Sequence, residues 1–125
     1  MESTASIEHF QGELQAWKQQ LSAFKQEIRH FENQLENLAA KNLPKEVLAQ
    51  VEHFQNMFIC HKEVIDNLRH DIPDSRHKLE SIFNGHQREP LDKLAKHALQ
   101  ERMDMFRRVY EEVREEFHQF EAEWM

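Results

Sequence analysis

Asp66, His70, Asp74 and His77 follow one another at spacings of four, four and three. On a helix this puts them on one outer face, where a row of imidazoles and carboxylates could hold Zn²⁺ or Ni²⁺. The plainer reading is a wet helix face whose charges pair with one another. Pro73 falls inside the row and disturbs the spacing a metal would need, which favours the plainer reading.

Nine histidines in 125 residues extend the metal question to the rest of the chain. Carboxylate-bridged di-iron sites take glutamate and histidine one turn apart on facing helices. Glu27 and His30 have that spacing, while His9 with Glu13 and His97 with Glu101 have the four-residue spacing that resembles one element of the hemerythrin pattern. Such a site needs its ligands turned inward. The apolar repeat described below leaves all of these residues facing solvent or the edge of a bundle, and no cofactor is expected.

His61 differs because apolar residues stand on either side of it along its own helix stripe. A buried imidazole must be hydrogen bonded or it costs about 1–3 kcal/mol, and Tyr110 is the expected partner. The functional reading is a proton-sensitive latch, and the structural one a satisfied core histidine that fixes register. Cys60, the single cysteine, precedes it. Ile59 and Cys60 turn outward beside Met57 and mark a candidate contact surface. A nucleophilic role for Cys60 would need a base held in a cleft, and a filled bundle offers none.

A last chemical feature is charge. From Glu111 to Met125 six glutamates, including Glu112, Glu115 and Glu116, stand against Arg114 alone. Acids near a helix C-terminus oppose the backbone dipole unless a base lies close. Lys41 and Lys45 are the internal candidates, and a basic partner protein the external one.

The elements that position these residues are legible from a repeat. Ile7, Phe10, Leu14, Trp17, Leu21, Phe24, Ile28, Phe31, Leu35 and Leu38 alternate in steps of three and four. This is a heptad seam that a lone helix cannot leave exposed to water. Helix one spans about 4–40, with Ser3 or Thr4 as N-cap. Pro44 opens helix two behind Asn42 as cap, and its seam runs through Val47, Val51, Phe54, Phe58, His61, Ile65, Leu68, Ile72, Ser75, Leu79 and Ile82, widened by Leu48, Met57 and Val64. It reaches about residue 84, kinked or broken near Pro73; the unbroken phase of the seam favours a kink. Gly85 suits its close. Helix three spans about 90–124, with a stripe of Leu91, Leu94, Ala98, Leu99, Met103, Phe106, Val109, Tyr110, Val113, Phe117, Phe120 and Trp124.

The expectation is one all-α domain over 1–125, an antiparallel up-down-up three-helix bundle with coiled-coil-like packing. Facing residue numbers should sum to about 84 across the first turn and about 175 across the second. That sets His61 in the layer of Leu21, Phe24, Tyr110 and Val113. In length, helix number and a tryptophan well inside the first helix, the chain resembles a spectrin-type repeat, a likeness of shape that implies the fold and no site residue.

A net charge of −7 with dispersed lysines and arginines argues against nucleic acid. No segment is apolar for the length of a membrane span, and the start lacks a signal-peptide pattern. One cysteine agrees with a reducing, cytoplasmic setting. The function expected is non-enzymatic protein binding or a structural role, by a protein partner or by self-association, in the simplest case as a homodimer through helix two. The rival is a metal-binding, redox- or pH-sensing bundle.

Overall fold

The computed structural model describes the backbone of residues 2–72 and 89–125 and the side chains of 9–72 and 96–125. Three helices account for nearly all of it: α1 (Glu2–Ala39), α2 (Lys45–Asp71) and α3 (Glu89–Trp124). No strand occurs among the described residues.

The helix ends follow from local chemistry. The backbone is already helical at Glu2, so Ser3 and Thr4 lie inside α1 and do not cap it. At the other end the Lys41 N–H reaches back to the Leu38 carbonyl at 3.0 Å and closes a tight last turn. Asn42 is not the cap of α2. Pro44 holds that position itself, with φ −59° and ψ 154°, and its carbonyl accepts from the amides of Val47 and Leu48, both at 3.1 Å. α2 stops at Asp71. Ile72 is extended, with φ −80° and ψ 121°, because a proline's ring crowds the residue before it out of helical conformation. The expected kink is therefore a break. The rest of the second seam, Ser75, Leu79 and Ile82, and the close at Gly85 lie outside the described residues. Pro90 sits in the first turn of α3, as expected.

The seams become the core. Phe10, Leu14, Trp17, Leu21, Ile28, Phe31, Leu35 and Leu38 of α1 are buried, with Phe24 partly so. On α2 every expected position from Val47 to Ile72 is buried, His61 included. Near the α1–α2 turn the rings of Phe31, Phe54, Phe58, Phe117 and Phe120 mesh, with centroids 4.6 Å apart for Phe31 and Phe117 and 5.4 Å for Phe58 and Phe117. Fully burying each such ring contributes about 1.5–3 kcal/mol.

α1 and α3 run parallel, and their contacts hold one register. Gln20 meets Arg107 at 2.8 Å, and one heptad later Glu27 meets Arg114 at 2.8 Å, each pair 87 residues apart. α2 runs against both. Its contacts with α3 give sums of 171 for Phe54 with Phe117 and 175 for Phe58 with Phe117, close to expectation. Those with α1 exceed the expected 84, at 89 for Phe31 with Phe58, 91 for Lys25 with Asp66 and 94 for Glu32 with Lys62.

Candidate interaction surface

α1 covers one face of the layer formed by α2 and α3. On the covered side Lys25 reaches Asp66 at 2.6 Å, Glu32 reaches Lys62 at 2.9 Å, and the bonds from Gln20 and Glu27 fasten α3. On the opposite side nothing among the described residues lies over the layer. There a groove of about 570 Å³ runs between α2 and α3, lined by Cys60, Val64 and Leu68 from one helix and Ala98, Met105 and Val109 from the other, with Phe106 and His61 in its floor. Val64 is 44% exposed, Met105 54% and Val109 37%.

These residues form a second stripe beside each seam. Ala98 and Val109 were expected in the stripe of α3 but are exposed, because with Met105 they point away from α1 while Met103, Phe106 and Tyr110 point inward. One heptad beyond Met105 and Val109 the same stripe carries Glu112 and Glu116, both exposed. One heptad before Val64 it carries Met57, which is partly buried against the core. The open face is thus apolar near its middle and acidic toward the C-terminal end of α3.

Of the expected patch, Met57 and Cys60 stand three residues apart on this stripe, and Ile59 stands apart from them. Cys60 is exposed and lines the groove. Ile59 stands seven residues before Asp66, which pairs with α1, so it emerges on the covered side. Glu112, Glu115 and Glu116 are exposed, and Lys41 and Lys45 pair with none of them among the described residues.

His61 does not bond Tyr110. Its Nδ1–H donates to the Met57 carbonyl one turn back, at 2.7 Å, which leaves Nε2 buried with no partner among the described residues. The Tyr110 ring lies 5.8 Å away, centroid to centroid, and Phe106 6.0 Å. Of the expected layer Tyr110 is confirmed as a neighbour of His61. The Tyr110 hydroxyl turns the other way, toward α1, and donates to Glu27 Oε1 at 2.5 Å. Arg114 donates to the same oxygen. Burial, and then the Glu27 carboxylate, push the Tyr110 phenol well above its ordinary range.

This clasp of Glu27, Tyr110 and Arg114 was missed by reading the seams alone. Its signal was present: Gln20 and Glu27 are seven apart beside the first seam, as Arg107 and Arg114 are beside the third.

Among the described residues the metal candidates do not converge. Asp66 is engaged by Lys25, and His70 lies 3.4 Å from Asp71. Asp74 and His77 lie outside the described residues. Glu27 belongs to the clasp, His30 is exposed, and His9–Glu13 and His97–Glu101 are simple pairs at 3.0 Å. Among the described residues no three histidine, cysteine or carboxylate side chains are grouped to hold an ion, and no helix is long and apolar enough to cross a membrane. Comparison with protein-family models, curated proteins and solved structures gives no match.

Proposed function

We propose that this chain is a non-enzymatic helical module that acts by binding protein, in a cytoplasmic setting, through the open face of the α2–α3 layer. One observation carries the reading: Val64, Met105 and Val109 stand exposed side by side over a groove whose floor is core. Isolated exposed apolar residues are ordinary, but a contiguous set beside a groove marks a surface that gains by being covered.

The test compares proteins retained from a host extract by the wild-type chain, by Val64→Glu with Met105→Glu, and by Ile59→Glu. Loss of a retained protein with the groove pair and its persistence with Ile59→Glu is the expected result. Retention of the same proteins by all three overturns the reading.

A further inference from the structure

The edge of the groove carries its own complement. Along the outer rim of α3, Met105 is flanked by Glu101 four residues before it and Arg108 three residues after it. Arg108 is exposed and makes no ion pair among the described residues. Glu101, with a side chain 70% exposed, pairs among the described residues with His97 one turn back. An acid and a base on opposite sides of an apolar residue, four and three positions from it, form a pattern that is satisfied by itself turned end for end: about a two-fold axis crossing the helix beside Met105, each Glu101 comes within one position of the other chain's Arg108.

We propose that the groove is covered by a second copy of this chain, α3 against α3 antiparallel, with Met105 meeting Met105 and two Glu101–Arg108 pairs closing the rim. The inference rests on the protein-binding reading of the groove and names its occupant.

A two-fold axis laid along the helices would also bring the two grooves together, but it gathers both acidic ends, Glu111 to Glu123, at one end of the dimer. The crossing axis sends them to opposite ends, which suits a chain of net charge −7. The apolar strip from Ala98 to Val109 is about 17 Å long. Two helices wide, it falls short of the ~800 Å² per partner of a standard interface, so the dimer is weak and dissociates on dilution.

The experiment is the mass of the full-length chain by light scattering across a dilution series, with circular dichroism to confirm that each variant keeps its helices. The wild type should pass from two chains to one on dilution. Glu101→Arg alone and Arg108→Glu alone should each weaken association roughly tenfold, Met105→Glu should abolish it, and the double reversal should restore it. In a Cys60→Ser background a short thiol crosslinker should join Met105→Cys chains. It should not join Glu116→Cys chains, whose thiols lie roughly 35 Å apart about the crossing axis.

Crosslinking at Glu116→Cys but not at Met105→Cys, or a double reversal no better than the single ones, overturns the arrangement. A single-chain mass at every concentration overturns self-association. The protein-binding reading then survives only if the host-extract comparison yields a partner lost with the groove pair.

Discussion

The two faces of the α2–α3 layer are built from the same residue types to opposite effect. On the face beneath α1, apolar side chains are sealed and the polar residues at their flanks are paired: Lys25 with Asp66, Lys62 with Glu32, Arg107 with Gln20, Arg114 and Tyr110 with Glu27. On the far face Val64, Met105 and Val109 lie open, and the glutamates that continue their stripe have no partner among the described residues. The flanking polar residues differ in how far they are paired: on the open face Glu101 meets His97 and Arg102 meets Asp71, while Arg108, Glu112 and Glu116 pair with nothing among the described residues.

The largest effect expected of this contrast is in the sealed core. Phe58→Ala, which empties a ring packed on Phe31, Phe54 and Phe117, should lower the unfolding free energy by about 3–5 kcal/mol in a denaturant titration. A much smaller loss would mean that the face under α1 is not tightly filled.

Next is the clasp. Tyr110→Phe removes a bond to a carboxylate and should cost about 1.5 kcal/mol. The same group sets an alkaline limit. Its folded-state pKa is raised above the ordinary 10.0, so its stabilisation is intact below that value. It is lost as pH rises further, because the unfolded chain then releases a proton that the folded chain keeps. Tyr110 is the only tyrosine, so phenolate absorbance should appear with unfolding and not before it.

A smaller effect, of opposite sign, is expected at His61. With Nε2 unpartnered, His61→Leu should leave the monomer unchanged or more stable by up to about 1 kcal/mol in the same titration. A clear loss would show that the imidazole contributes a bond the folded chain needs.

The smallest is on the open face, where Met105→Glu should shift monomer stability by less than about 0.5 kcal/mol. Arg102, 2.9 Å from Asp71, adds a pH signature. Its hydrogen bond and that of His70 hold the Asp71 carboxyl below its ordinary range. The pair therefore supports folding above the ordinary carboxylate value, and that support is lost as acid protonates Asp71. Arg102→Ala should flatten that acid limb in a series of melts.

Much of the fold was legible because burial repeats. Every expected seam position from Val47 to Ile72 is buried, as a stripe of constant phase requires once other helices cover it. The break at Ile72 was harder to read, since phase reports which side faces inward and says nothing of backbone continuity. The local crowding of the residue before Pro73 decided it.

The candidate surface was half legible. Met57 and Cys60 share the open stripe of α2, but Ile59 was grouped with them by nearness in sequence, and a helix separates neighbours by about 100°. Val64 was taken as widening of the second seam and Val109 as part of the stripe of helix three, although with Met105 they are a second stripe. The partner assigned to His61 failed because Tyr110 has two sides, and its hydroxyl lies on the one toward Glu27.

The parallel alignment of α1 and α3 also governs how the chain assembles. Every clasp between them joins residues 83 to 87 positions apart, whereas the antiparallel contacts of α2 with its neighbours can close through shorter stretches of chain. Loops that long lose more entropy on closure. Refolding should therefore zip the sequential hairpins first and latch Glu27 onto Tyr110 and Arg114 last.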